Sequence, residues 1–182
     1  MLYTVKVCTG GFMVILLSSR NSKCEKEIVE ILKNNGANHI SDRNIDTNHG
    51  NLTAISIYKK TDLNLKNAVA IFVEKSQRFT LQKFPIGIIG IAEDNNKAAL
   101  SNFKKSGNAV ITCGINNKNT ITISSLNHEN ALVTLQRSII DLNGNIVDPA
   151  EYKITLSKQY TPFSIMACAI TLILKGIEPT LF

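Results

Sequence analysis

Apolar residues form short runs separated by polar turns, as expected of a chain that alternates strands with helices. Residues 2–8 and 12–18 are the first two runs, and Thr9-Gly10-Gly11 between them indicates a turn. Across residues 23–35 apolar side chains recur at helical spacing, and Gly36 stands where a glycine commonly ends a helix. We therefore expect one hairpin followed by one amphipathic helix.

The middle of the chain combines a polar segment with patterns typical of strands. Residues 37–51 are rich in Asn, Asp and Ser and lack apolar periodicity, which predicts a loop. Leu52–Tyr58 alternates as a half-buried strand does, whereas Val69–Val73 and Ile86–Ile91 are continuous apolar runs. Such runs are typical of strands covered on both faces, so we expect helices on both sides of a sheet.

A helix is predicted between the strand at Ile86–Ile91 and a strand at residues 109–112. Asn95 or Asn96 is a suitable cap for its start, and Gly107 is suited to end it. A strand, a helix and a strand at this spacing make a right-handed crossover between parallel strands of one sheet the expected connection.

The last third of the chain predicts an antiparallel region and then a buried helix. Residues 120–124 and 133–139 alternate, and Asn143-Gly144 predicts a two-residue hairpin turn before residues 145–147. After Thr161-Pro162, a suitable N-cap and first helical residue, the chain is apolar almost throughout until Gly176. A helix of about 15 residues spans only about 22 Å, so we expect it inside the core rather than in a membrane.

Composition narrows the class of protein. The chain has 182 residues, of which 44% are hydrophobic and 19% charged, and it lacks an apolar window of about 18 residues that could span a bilayer. We expect a single soluble α/β domain over residues 1–182, Rossmann-like, with a mostly parallel sheet, helices on both faces and the appended antiparallel hairpin region. Its four cysteines are widely separated, which favours a reducing cytoplasm over a disulfide framework or zinc site.

The basic charge raises nucleic acid as a partner. The formal net charge is +6, but Lys and Arg are scattered, and Lys59-Lys60 and Lys104-Lys105 are the longest basic runs. A solvated surface is therefore the preferred interpretation, and clustered cations on one folded face would favour nucleic acid instead.

Three segments carry a resemblance to a known family. They are Ile91-Ala92-Glu93-Asp94-Asn95, then Val110-Ile111-Thr112-Cys113-Gly114, and finally the helix that leads to Gly176-Ile177. Their order and spacing resemble the second half of the central, ATP-binding domain of Mur ligases, over residues 86–178. Residues 1–85 are expected to form the unassigned N-terminal half of the same domain.

The resemblance implies a fold more than an activity. The chain contains no Gly-x-x-x-x-Gly-Lys-[Ser/Thr], the sequence whose backbone N–H groups and lysine hold phosphates. Ile91 stands where the family's turn begins with Asn, and the later helix lacks the family's His and Asn. We expect no cofactor, weak or absent ATP binding and no catalysis.

The candidate ligand-binding residues lie at the ends of two predicted strands. Glu93, Asp94 and Asn95 follow one strand, and Thr112 and Gly114 end the next. Open α/β sheets bind ligands at this edge, where carboxylates can accept from ribose hydroxyls or an adenine amino group. Acidic residues near a helix start also stabilise the helix by roughly 0.3–1 kcal/mol without any ligand, which remains the alternative.

Arg137 is a further candidate. By strict alternation it shares a strand face with Val133, Leu135 and Ile139, which predicts an inward position. Three interpretations stay open: a pair with Asp148 or Glu151 across the hairpin, an exit from the core near a strand end, or a ligand anchor.

Two other groups favour structural explanations. His39, Asp42, Asp46 and His49 share one polar segment, but their spacing matches no zinc or calcium loop, so no metal is expected. Cys113 as a nucleophile would require a nearby base, and no sequence pattern supplies one.

The preferred hypothesis is a non-catalytic Mur-ligase-like module of the bacterial cytoplasm that binds a protein partner or a nucleotide-like small molecule. An enzyme that uses Glu93 or Asp94 as general base is one alternative, and a basic nucleic-acid-binding protein is another. A homo-oligomer is also open.

Overall fold

The computed structural model describes residues 11–73 and 83–182. In this part of the chain the main sheet has ten strands. They are β1 (Phe12–Leu17), β2 (Asn38–Ile40), β3 (Ile45–Asp46), β4 (Leu52–Ile57), β5 (Ala68–Phe72), β6 (Ile89–Glu93), β7 (Val110–Gly114), β8 (Ile121–Leu126), β9 (Asn130–Leu135) and β12 (Ala150–Thr155). A separate two-stranded ribbon comprises β10 (Ile139–Ile140) and β11 (Ile146–Val147), and the helices are α1 (Lys23–Asn34), α2 (Lys97–Ser106) and α3 (Pro162–Leu174).

The sheet is mostly parallel, with antiparallel pairs at both ends. Its strand order is β12-β9-β8-β7-β6-β5-β1-β4-β2-β3. All neighbours from β2 to β8 run parallel, whereas β3 is antiparallel to β2, and β9 is antiparallel to both β8 and β12. The predicted fold class is therefore confirmed, including the antiparallel ribbon β10–β11.

Helices cover both faces of the sheet. Alternate strand residues point to opposite sides, so apolar strands present side chains for helices to cover on each face. Val14, Ile71 and Ile91 lie on the face that packs against α1 and α3, and Ile15 and Phe72 lie on the face covered by α2. Nearly all of α3 is buried, as its apolar sequence predicted. None of the helices in the described ranges combines the length and apolarity that a membrane span requires.

The helix ends follow capping chemistry. The Ser22 hydroxyl accepts from the Glu25 backbone N–H at 3.4 Å at the start of α1. Asn96, rather than Asn95, caps α2, since its Oδ1 accepts from the Ala99 N–H at 3.1 Å. Gly107 ends α2 in the left-handed conformation, with φ +70°, as the sequence predicted.

Two predictions about local structure are wrong. Residues 37–51 are not entirely loop, because β2 and β3 form a short hairpin at the sheet edge with His39 opposite Asp46. Strands of two or three residues with a single isoleucine each leave no apolar periodicity to detect. Residues 133–139 are not one strand, since β9 ends at Leu135 and Ile139 belongs to the separate ribbon.

The predicted N-terminal strand at residues 2–8 and most of its turn lie outside the described residues. The predicted second strand is β1, which pairs in parallel with β4 on one side and β5 on the other. The sheet is continuous across the two halves of the sequence, because β5 pairs with β6. The structure also adds β12, which the sequence pattern did not predict.

Candidate functional site

The carboxyl ends of β1, β6 and β7 face the same edge of the sheet, since these strands are parallel. Of the predicted site residues, Glu93 ends β6, Asp94 and Asn95 follow it, Thr112 and Gly114 lie at the end of β7, and Arg137 follows β9. We call the group Asp94, Thr112, Gly114, Asn119 and Arg137 the strand-end cluster.

Asp94 and Asn119 meet directly over Gly114. The Asn119 side-chain amide donates to Asp94 Oδ2 at 2.8 Å, and the Asp94 backbone N–H donates to the Cys113 carbonyl at 3.0 Å. A Cβ placed on Gly114 would lie only 2.4 Å from Asn119 Nδ2 and 2.6 Å from Asp94 Oδ2. The absence of a side chain at Gly114 therefore lets the Asp94 and Asn119 side chains approach its backbone closely.

Arg137 and Thr112 hold the turn that carries Asn119. The Arg137 guanidinium donates to the backbone carbonyls of Lys118 and Asn119, the latter at 3.3 Å. The Thr120 backbone N–H donates to both the carbonyl and the hydroxyl of Thr112, at 3.0 and 3.2 Å. The structure thus brings together residues that the sequence singled out separately.

The inward position predicted for Arg137 is wrong. The side chain is exposed, because β9 has ended two residues earlier and the alternation no longer applies. Its partners are the two carbonyls rather than Asp148 or Glu151. Asp148 instead accepts from the Ser138 hydroxyl at 3.2 Å.

Sequence reasoning missed Asn119, which is 3% exposed. It lies in the polar segment between β7 and β8, where Asn residues are common and carry no distinguishing signal. Only the tertiary contact with Asp94 identifies it. Asn95, which the sequence included, is exposed beside α2.

Glu93 lies half-buried at the end of β6, on the face that carries Ile91 and Cys113. Burial raises the pKa of the Cys113 thiol far above its ordinary value, and the charges of Glu93 and Asp94 raise it further. A protonated, fully buried thiol is a poor nucleophile. Cys113 is therefore a core residue in this structure.

The β1–α1 connection is a second feature of this edge. Residues 18–22 link a central strand to a helix whose first residue is Lys23, the arrangement in which P-loops place their lysine. Here Ser22 precedes that lysine, and Lys23 Nζ lies 3.7 Å from Glu27 Oε1. Sequence reasoning missed Lys23, because a search for the full motif returns nothing.

Glu27 joins α1 to the start of α3. Its Oε2 accepts from the Thr161 backbone N–H at 2.9 Å, from the Thr161 hydroxyl at 2.7 Å and from the Ser164 hydroxyl at 2.8 Å. Burial acts to raise the pKa of Glu27, but these hydrogen bonds and the nearby Lys23 lower it on balance. The ionised carboxylate is therefore the form that the fold stabilises.

The polar segment with His39, Asp42, Asp46 and His49 has separate contacts. Asp42 pairs with Arg20, and Asp46 accepts from Lys33 at 2.9 Å. Within residues 11–73 and 83–182, no group of three or more His, Cys, Asp or Glu side chains is arranged to hold a metal ion.

Comparison with known proteins yields a structural match only. No protein family matches the sequence, and no curated protein matches it either. The fold is similar to that of UDP-N-acetylmuramate:L-alanyl-gamma-D-glutamyl-meso-diaminopimelate ligase from Neisseria meningitides, with a TM-score of 0.57 and 7% identity over 93% of this chain and 63% of the ligase. It is also similar to UDP-N-acetylmuramoyl-L-alanyl-D-glutamate–2,6-diaminopimelate ligase, with a TM-score of 0.53 and 8% identity over 92% of this chain and 44% of the ligase.

The chain thus spans less than two thirds of either ligase. Both matches include most of this chain, so they extend well beyond residues 86–178, the part whose sequence resembles the family. The resemblance read from the sequence is confirmed at the level of the fold, and this protein has a Mur-ligase-like α/β fold.

Proposed function

We propose that this protein is a non-catalytic, Mur-ligase-like binding or regulatory module of the bacterial cytoplasm. It holds a nucleotide-like small molecule or a partner protein at the carboxyl ends of β6 and β7. The observation that carries this proposal is the β1–α1 connection, where Lys23 is paired within its own helix.

A phosphate cradle needs backbone N–H groups that approach the anion and a lysine free to contact it. Here the Ser22 hydroxyl already accepts from the Glu25 N–H, and Glu27 lies beside Lys23. A polyphosphate at this place would meet the Glu27 carboxylate, whose charge repels it. This arrangement supports the absence of ATP-driven phosphoryl transfer.

The strand-end cluster supports binding. The Asp94 side chain is exposed at the edge where open α/β sheets bind ligands, and Asn119 fixes one of its oxygens. An oriented carboxylate can accept from hydroxyl or amino groups of a ligand at a small entropic cost, since its rotamer is already restricted. Arg137 contributes by holding the turn of Asn119.

The test is a thermal-shift titration with ATP, ADP and UDP-linked muropeptide precursors, with and without magnesium. A ligand that binds only the folded state raises the melting temperature in a saturable manner. We expect a rise in the wild type that Asp94→Ala abolishes and that Glu178→Ala, an exposed charge beyond α3, leaves intact. A parallel phosphate-release assay is expected to show no ATP hydrolysis.

A saturable rise that persists in Asp94→Ala would move the binding site away from the strand-end cluster. The lack of any rise would remove the nucleotide-like ligand and leave the partner protein. ATP turnover by the wild type would contradict the non-catalytic assignment.

A further inference from the structure

We propose that a groove beside α1 is a second binding site, for a small phosphorylated molecule that also carries hydroxyl groups. This α1 groove has a volume of about 420 Å³ and lies between α1 and the ends of β2 and β4. Glu25, His39 and Tyr58 form its inner part, and Lys26 and Arg43 lie among its basic lining residues. Small-molecule sites have volumes of roughly 300–1,000 Å³, so the groove can hold such a ligand.

The inner part of the groove is a hydrogen-bonded chain around a buried carboxylate. Glu25 is only 5% exposed, and its Oε1 accepts from the Ser56 hydroxyl at 2.5 Å and from the Tyr58 hydroxyl at 2.9 Å. His39 Nε2 lies 3.0 Å from the Ser56 hydroxyl oxygen. Burying a carboxylate is unfavourable unless it is paired, and here the partners are neutral hydroxyls rather than a cation.

Four cations line the groove, of which two form ion pairs and two, within the described ranges, do not. Arg20 pairs with Asp42, and Lys33 pairs with Asp46. Lys26 and Arg43, by contrast, have no ion pair in the described part of the chain. The groove is lined by four cations and by the three carboxylates of Glu25, Glu30 and Asp42, and the two cations without an ion pair among the described residues are the groups that an anion can contact.

The groove has two halves, the inner part around Glu25 and the two cations without ion pairs in the part of the chain that the structure describes, and together they define the ligand. A guanidinium presents a planar set of donors that matches phosphate oxygens, and a lysine adds a point charge. Glu25 and His39 offer groups to which ligand hydroxyls can donate, and Tyr58 adds another hydroxyl. A phosphate at the cations with hydroxyls toward Glu25 therefore satisfies both halves, as a sugar phosphate would.

The α1 groove shares no residue with the strand-end cluster, so it goes beyond the function proposed above. It also differs in what its lining selects, because it presents two cations that have no ion pair among the described residues, whereas the strand-end cluster offers the Asp94 carboxylate. Asp94→Ala is accordingly expected to leave binding at the groove unchanged.

The experiment is isothermal titration of the protein with glucose 6-phosphate, inorganic phosphate, glucose and gluconate, at millimolar ligand and low salt. We expect glucose 6-phosphate to bind more tightly than inorganic phosphate, and glucose to give no measurable heat. The double variant Lys26→Gln/Arg43→Gln is expected to weaken glucose 6-phosphate binding by at least about tenfold, as loss of charged hydrogen bonds does. The charge-matched control Lys104→Gln/Lys153→Gln is expected to bind as the wild type does.

A second variant separates the two halves of the groove. Tyr58→Phe removes one hydroxyl, so it is expected to weaken glucose 6-phosphate several-fold while leaving inorganic phosphate unchanged. The proposal is overturned if glucose 6-phosphate does not bind the wild type, or if the Lys26/Arg43 variant binds it as tightly. Binding of gluconate in preference to glucose 6-phosphate would overturn the phosphate assignment in favour of a carboxylate ligand.

Discussion

At the scale of single residues, Glu27 links two helices through one carboxylate. Its Oε2 accepts three hydrogen bonds from the first turn of α3, while Lys23 lies near its other oxygen. A negative charge at a helix start is also favourable for the helix dipole. The contact therefore ties α1 to α3 at the edge of the sheet where the candidate site lies.

Glu27→Gln is expected to destabilise the protein by about 2 kcal/mol, because hydrogen bonds to charged groups contribute roughly 1.5–3 kcal/mol each and Gln keeps only part of them. Urea unfolding near neutral pH measures this difference. Glu30→Gln is the matched control, since Glu30 is 40% exposed, pairs with Lys158 at the surface and accepts only a long hydrogen bond of 3.4 Å from the Tyr160 hydroxyl, so a change within about 0.5 kcal/mol is expected. Equal effects of the two variants would contradict the bridging role of Glu27.

The same carboxylate predicts a dependence of stability on pH. The folded-state pKa of Glu27 lies below its ordinary value of 4.5, so its stabilisation is full above that value and disappears as the pH falls through the folded-state pKa. Unfolding free energies measured across this acidic range are expected to fall less steeply for Glu27→Gln than for the wild type. An unchanged slope would show that other carboxyl groups dominate acid unfolding.

Gly114→Ala tests how tightly the strand-end cluster is packed. The new methyl group would overlap Asn119 Nδ2 and Asp94 Oδ2, so we expect a loss of about 1–2 kcal/mol as these side chains shift. Combining it with Asn119→Ala is expected to cost less than the sum of the single changes, because the overlap with Asn119 disappears and only that with Asp94 is left. Strict additivity in denaturant unfolding would argue against this contact.

At the scale of secondary structure elements, the packing of β6 against α2 depends on a glycine. A Cβ on Gly90 would lie 2.5 Å from the ring of Phe103, which is fully buried against Phe72 and Phe84. The ring cannot move without disturbing these neighbours. The strand and the helix can therefore approach this closely only with glycine at this position.

Gly90→Ala is expected to destabilise the protein by about 1–3 kcal/mol through overpacking. Phe103→Leu in the same chain should recover part of that loss, because the smaller side chain leaves room for the methyl group. Ser101→Ala, on the exposed side of α2, is the control and should stay within about 0.5 kcal/mol. Thermal unfolding of the four proteins measures the comparison.

The elements that the sequence predicted well are those with strong local signals. Asn96 and Gly107 mark the two ends of α2, and their capping depends only on local side-chain and backbone chemistry. The apolar run of α3 specifies its burial directly. β2 and β3 escaped prediction because they are short and contain one isoleucine each, and because β2 joins the sheet through its pairing with β4. The contact of Asp94 with Asn119 and the α1 groove escaped for the same reason, since tertiary contacts between loops leave no periodic pattern.

At the scale of the whole molecule, two cysteines are expected to report on global unfolding. Cys113 and Cys168 are fully buried in the core cluster on the α1 and α3 face, and burial raises the pKa of both thiols. We expect neither to react with a thiol reagent in the folded protein, and both to react at the rate of global unfolding. Cys8 lies outside the described residues, so the measurement uses a Cys8→Ser chain.

Partly buried Cys24 provides the internal comparison for that labelling. Its thiol is expected to react faster than Cys113 and Cys168, although burial raises its pKa as well. Peptide mapping after a short exposure assigns each modified residue. Early modification of Cys168 would show that α3 opens separately from the rest of the core.

The strand order also determines when the protein can fold during its synthesis. β1 is made early, yet one of its two neighbours is β5, which is complete only at Phe72. The apolar sheet face around Ile91 and Cys113 acquires its covering helix later still, because α3 begins at Pro162. A nascent chain therefore exposes this face until Pro162–Leu174 has left the ribosome, and chains cut before Thr161 should aggregate or recruit chaperones rather than fold.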